Sequence, residues 1–144
     1  MSAKYQPEKY HTAIPYLVVE DVAAVIDFLT TAFDGEVNER LDRPDGSIMH
    51  AEVTLGDSVV MLGGASEDFN AMPGMIYLYV PDTDAAYQRA LTAGATSLME
   101  PGDQFYGDRN AGVKGPGGNV WWLATNFETV SPEELKIRAA KSMQ

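Results

Sequence analysis

The chain contains no cysteine, which removes disulfide frameworks, thiolate nucleophiles and cysteine-type zinc sites in one step. Histidine is nearly as scarce, so His11 and His50 are the only imidazoles available as bases or metal ligands. Basic residues are few, ten against 21 acidic ones, and the resulting formal charge of −11 over 144 residues repels a phosphate backbone. Nucleic acid is therefore not an expected partner, whereas a cationic small molecule would be attracted. No stretch approaches the roughly 18 uninterrupted apolar residues of a membrane helix. The start, "MSAKYQPEKYHTAIP", lacks the apolar core of a secretory signal, so a soluble, cytoplasmic protein with no membrane partner is expected. A Ser/His/Asp arrangement, a phosphate-cradling loop and a dinucleotide fingerprint are also missing. Gly63-Gly64 and Gly117-Gly118 are read as turns with no helix behind them.

What is present is a repeat. "YLVVEDVAAVIDFLTTAFDG" (Tyr16 to Gly35) recurs as "YLYVPDTDAAYQRALTAG" (Tyr77 to Gly94), with Tyr16 matching Tyr77 and Asp21 matching Asp82. Each copy reads as an apolar strand, an aspartate that caps a helix, and a glycine that stops it. Val22, Val25, Ile26, Leu29 and Phe33 form the apolar stripe of the first helix, and Tyr87, Ala90 and Leu91 that of the second. Three strands follow each helix. The first set is broken at Pro44-Asp45-Gly46 and Gly56-Asp57, the second at Pro101-Gly102 and Gly115-Pro116-Gly117-Gly118. The expectation is an α+β fold of two tandem βαβββ modules, residues 1–70 and 71–127, within one structural domain. "GASEDFNAMPGM" is the linker, to be cut near Asn70. Residues 128–144 form a helical tail: Ser131 is its N-cap, Pro132 its first residue, and the helix runs to about Ser142.

The tandem modules, the "YLVVEDVAAVIDFLTTAFDG" opening and the "YGDRNAGVKGPGGNVWWLAT" close resemble the vicinal-oxygen-chelate superfamily, also called the glyoxalase, bleomycin-resistance and dioxygenase superfamily. The likeness spans roughly residues 10 to 127. "HAEVTLGDSVVML", "YGDR" and "VSPEEL" look most like its PhnB-like branch, although "GPGG" stands where that branch usually has Asp-Pro-x-Gly. The resemblance implies a curled mixed-sheet cleft and four metal-ligand positions, which fall on Ile14, Met61, Met75 and Trp122. None of these offers the imidazole nitrogen or carboxylate oxygen that a hard metal needs. No cofactor is therefore expected, and a divalent metal only at a non-standard site.

Strand alternation then gives the cleft face: Ile14, Tyr16 and Val18; His50, Glu52 and Thr54; Val59 and Met61; Met75, Tyr77 and Tyr79; Val120, Trp122 and Ala124. Trp121 and Leu123 face the helices instead. "YGDR" adds Tyr106 and Arg109 as donors at the rim, unless Asp108 and Arg109 simply pair with each other. The expected ligand-binding set is Tyr16, His50, Glu52, Met61, Met75, Tyr77, Tyr79, Tyr106, Arg109 and Trp122. Such a face suits an aromatic or cationic organic molecule held by burial, in the manner the resemblance implies for metal-free bleomycin-resistance-type binders, and a homodimer is expected. The alternative is a lyase, isomerase or dioxygenase in which His50 and Glu52 are catalytic, with or without a relocated divalent metal. His11 is read as a surface residue.

Overall fold

The computed structural model describes residues 5–144. The chain divides into two compact units, one running to Gly74 and including Pro116–Gly118, the other comprising Met75–Gly115 and Asn119–Gln144. No helix among the described residues is long and apolar enough to cross a membrane.

In the first unit β1 (Tyr16–Val19) leads into α1 (Val22–Phe33), followed by β2 (Glu36–Asp42), β3 (Ile48–Leu55) and β4 (Ser58–Gly64). The sheet order is β1-β4-β3-β2, with β1 parallel to β4 and the other pairs antiparallel. Asp21 starts the helix by accepting from the Ala24 amide at 3.1 Å, which satisfies one of the free N–H groups at the N-terminus. The five stripe residues are all buried, together with Phe28 and Ala32. They meet Leu17, Val19, Ala51, Val53 and Leu62 of the sheet, all 5% exposed or less.

Three details differ from expectation. The residue that leaves α1 in the left-handed region is Asp34, at φ 56°, and not Gly35. Gly35 is needed for close approach: a Cβ there would stand 2.8 Å from Val53 Cγ1 and 3.1 Å from the Leu29 carbonyl oxygen. Gly63-Gly64 is not a turn but the end of β4. The segment after it also does more than link: Ala65 N–H donates to Val19 O at 2.9 Å and Met72 N–H to Val18 O at 3.0 Å. It covers the edge of β1, so the division falls at Gly74 instead of Asn70.

The second unit repeats the plan with β5 (Met75–Tyr79), α2 (Thr83–Thr92), β6 (Thr96–Asp103), β7 (Asp108–Lys114) and β8 (Val120–Asn126), in the order β5-β8-β7-β6. Asp82 caps α2 through the Ala85 amide at 3.1 Å, and here Gly94 does follow the helix at φ 104°. Thr83, Ala86, Tyr87 and Ala90 are the buried residues of α2; Leu91 is only half-buried. Pro101-Gly102 does not break the chain but lies inside β6, where the pairing with β7 shifts register between Met99 and Gly102. A proline is tolerated there because β6 is the edge strand. The break falls at residues 104–107, where Gly107 turns at φ 96°.

The tail helix α3 (Pro132–Ser142) starts as expected, with Ser131 Oγ accepting from the Glu134 amide at 3.2 Å. It buries no residue of its own. Arg138 ties it down instead, donating to Glu128 Oε1 at 2.7 Å and to the Phe105 carbonyl at 3.0 Å, while within the helix it donates to Glu134 Oε1 at 3.1 Å.

Candidate ligand-binding site

Strand β8 lies between β5 and β7, with Trp122 opposite Tyr77 on one side and Gly112 on the other. Alternation along β8 sends successive side chains to opposite faces. Trp121 and Leu123 are accordingly fully buried, whereas Trp122 is only half-buried and lines a pocket of about 500 Å³ with Met75, Tyr77, Met99, Gln104, Tyr106 and Asn110. Gly112 makes this possible. A Cβ on it would stand 2.5 Å from Trp122 Cζ3, so the indole lies flat against the β7 backbone only because that side chain is missing.

The polar wall is built on Asp108, which is 5% exposed. It accepts from Tyr77 Oη at 2.7 Å, Tyr79 Oη at 2.9 Å and Asn126 Nδ2 at 2.9 Å. Burial acts to raise its carboxyl pKa, but the three donors outweigh burial and hold it below the ordinary value. Burial and the Asp108 carboxylate push the Tyr77 hydroxyl well above the usual range, and the bond to Asp108 followed by burial raises Tyr79. Both phenols therefore stay protonated and donate. Asn110 Nδ2 in turn donates to Tyr106 Oη at 2.6 Å and Tyr77 Oη at 3.3 Å. Asn110 Oδ1 is buried and has no partner among the described residues.

The lowered Asp108 pKa fixes the sign of a pH effect. The native carboxyl releases its proton more readily than the unfolded one, near 3.8, so its contribution is full above that value and is lost as pH falls through the native pKa. Asp108→Asn is expected to cost about 1–3 kcal/mol at neutral pH, because it gives two phenols a poorer acceptor. Thermal unfolding from about pH 7 to pH 3 should show this deficit shrinking toward the acid end; a constant deficit would contradict the assignment.

Of the expected set, Met75, Tyr77, Tyr106 and Trp122 are brought together here, and Tyr79 supports them through Asp108. Arg109 is not part of the wall. It pairs with Asp84 at 3.1 Å and Asp103 at 3.1 Å, and the alternative Asp108–Arg109 pair does not form either, because adjacent strand residues face opposite ways. Asn110, Met99 and Gln104 were not anticipated. Asn110 was within reach of alternation, being two residues from Asp108.

The first unit holds a second pocket, of about 590 Å³, lined by residues that include Tyr16, Arg43, Met49, Gly63 and Phe69. Arg43 is committed to backbone, donating to Gly64 O at 3.0 Å and Ala65 O at 3.4 Å. Tyr16 Oη lies 3.4 Å from His50 Nδ1. Glu52 sits opposite Met61 in the sheet as alternation requires, but it is 3% exposed, and both its oxygens accept from Tyr10 Oη at 2.8 Å. His50 Nε2 stands 3.6 Å from Glu52 Oε2, beyond a hydrogen bond, and Lys9 Nζ is 3.7 Å from Glu52 Oε1. Candidate ligand atoms of Glu39, His50 and Glu52 lie within 4.8 Å of one another. Lys9 and Tyr10 carried no local signal, since their partner lies more than forty residues along the chain. His11 is exposed, with Nε2 2.8 Å from the Asp57 carbonyl.

The family model described as the Glyoxalase/Bleomycin resistance protein/Dioxygenase superfamily matches residues 10–123. The chain belongs to this superfamily. Uncharacterised proteins of Mycobacterium bovis and Mycobacterium tuberculosis are 40% identical to it over 141 residues, covering 90% of this chain and 91% and 82% of theirs. Among solved structures, TioX from Micromonospora matches with a TM-score of 0.70 at 22% identity, over 81% of this chain and 99% of that one. A PhnB protein from Bacillus cereus matches with a TM-score of 0.62 at 19% identity, over 80% and 99%. These likenesses establish the fold. At the four positions where the resemblance implies metal ligands, Ile14, Met61 and Met75 carry no nitrogen or oxygen donor in their side chains, and the indole N–H of Trp122 donates a hydrogen bond but offers no lone pair.

Proposed function

We propose that the protein binds a small planar organic ligand, aromatic or cationic, in the pocket of the second unit and without the superfamily's metal. The observation that carries this reading is Trp122, an indole laid on the glycine of the neighbouring strand in a mostly apolar pocket, at a position where the resemblance implies a metal ligand. Such walls hold flat molecules by burial and stacking. The charge of −11 favours cations at long range. PhnB-branch membership and a homodimer are part of the same reading; Val37 and Leu41 on edge strand β2 and Leu98 on edge strand β6 are 45%, 46% and 50% exposed, leaving apolar groups for a second copy, and sedimentation equilibrium is the check.

The test is a thermal-shift and calorimetric screen with acridine, naphthalene and 2-naphthoate. Acridine is expected to raise the Tm and to bind more tightly than the anionic naphthoate. A screen in which no planar compound binds would remove the basis of the reading.

A second reading, an enzyme of the lyase, isomerase or dioxygenase type with a relocated metal, has the Glu39, His50 and Glu52 cluster in its favour. Against it, Lys9 Nζ already lies 3.7 Å from Glu52 and 4.0 Å from Glu39, so this site holds a cation of its own. Zinc and manganese are expected to leave the Tm unchanged; a rise abolished by His50→Ala would favour the second reading.

A further inference from the structure

We propose that the second unit's pocket selects ligands carrying a lactam-type edge, an N–H donor beside a carbonyl acceptor, through Asn110 Oδ1 and the Tyr106 hydroxyl. This rests on the pocket being a ligand site and adds the polar group by which the site would choose among flat molecules.

Asn110 is 2% exposed and lines the pocket, yet its side-chain oxygen is the one buried side-chain polar atom without a partner among the described residues. Buried acceptors are nearly always satisfied, so an orphan in a pocket wall points to a donor brought from outside the chain. Exchanging the amide's nitrogen and oxygen does not remove the orphan. Tyr77 has a single proton and gives it to Asp108 Oδ2, 2.7 Å away, so its oxygen can only accept from Asn110. The atom facing Tyr77 is therefore nitrogen, and the carbonyl is the free end.

The same logic fixes Tyr106. Its oxygen accepts from Asn110 Nδ2 at 2.6 Å, which leaves the phenolic proton without a partner among the hydrogen bonds of the described residues, on a ring that is 38% exposed. An acceptor and a donor thus flank the Asn110 amide nitrogen, in a wall that also holds Trp122 and the apolar side chains of Met75 and Met99. The complementary edge has a donor beside an acceptor and is neutral, because neither Asn110 nor Tyr106 carries charge. Asn110 Oδ1 is closed to water, so a wall side chain must give way on binding. Gln104 and Met99 are the flexible ones, and Gln104 makes only a 3.5 Å side-chain bond, to Gly102 O.

The experiment compares 2-quinolinone with coumarin, which has the same outline but a ring oxygen in place of the N–H, by calorimetric titration of the wild-type protein and of Asn110→Leu. In the wild type 2-quinolinone is expected to bind at least about tenfold more tightly than coumarin, and in Asn110→Leu the ratio should fall to about one. Equal affinities in the wild type would overturn the donor selection while leaving the planar pocket standing. So would a preference that survives in Asn110→Leu. If neither compound nor naphthalene binds, the pocket reading and the selection built on it both fall. The wild-type comparison decides even where Asn110→Leu does not fold.

Discussion

Trp121→Ala is expected to cost about 3–5 kcal/mol of stability, whereas Trp122→Ala should cost far less and instead weaken the binding of acridine by at least about tenfold. Adjacent in sequence, the two indoles differ in what surrounds them. Trp121 is 0% exposed among the core side chains of the second unit, so truncation leaves a cavity that the surrounding strands cannot fill without moving. A loss of that size is a large part of the 5–15 kcal/mol typical of a domain, and the denaturant midpoint should fall sharply. Trp122 has one face on Gly112 and the other toward the pocket, so its removal widens an existing space. If Trp122→Ala unfolds the protein and Trp121→Ala spares both fold and binding, the two faces of β8 have been exchanged.

The faces of β8 were legible in the sequence because they depend on a period of two, and the architecture because it depends on a repeat. Asp21 and Asp82 cap equivalent helices, and the strand pair Glu52–Met61 follows from alternation and a tight turn. Less legible was anything set by contact across a long stretch of chain. Tyr10 reaches Glu52 over 42 residues and Tyr77 reaches Asp108 over 31, and no spacing rule connects them. Thus Glu52, read as part of an open cleft with His50, is a buried carboxylate already satisfied by Tyr10, with the Lys9 ammonium 3.7 Å away. Arg109 was misplaced for another reason. Reading "YGDR" as a cluster treats neighbours in sequence as neighbours in space, while strand β7 sends Asp108 and Asn110 to one face and Arg109 to the other. Pro101-Gly102 was read as a break because both residues punctuate chains in general, and at a sheet edge they are absorbed as an irregularity in pairing.

The second large effect is expected at Gly107, where alanine should destabilise the protein by about 3 kcal/mol or more and loosen the pocket with it. Two costs coincide there. The backbone sits at φ 96°, a region side chains rarely adopt, and a Cβ would collide with the carbonyl oxygen of Glu128. That carbonyl cannot swing away freely. Gly107 O accepts from Phe127 N–H at 2.9 Å and from Asn126 Nδ2 at 3.1 Å, and Asn126 Nδ2 also donates to Asp108 Oδ1 at 2.9 Å and to Glu128 O at 3.1 Å. Arg138 clamps the same region from the tail helix by donating to Phe105 O and to the Glu128 carboxylate. The loop that presents Tyr106 and Gln104 is therefore fastened through Gly107 to the start of the tail, so the clash passes directly to the pocket wall. Gly46 is the control: its φ of 90° imposes a similar backbone cost, but a Cβ there meets nothing within 4 Å. Gly46→Ala should lose only about 1 kcal/mol and leave acridine binding intact, so equal losses at the two positions in urea unfolding would show that the Glu128 contact contributes nothing.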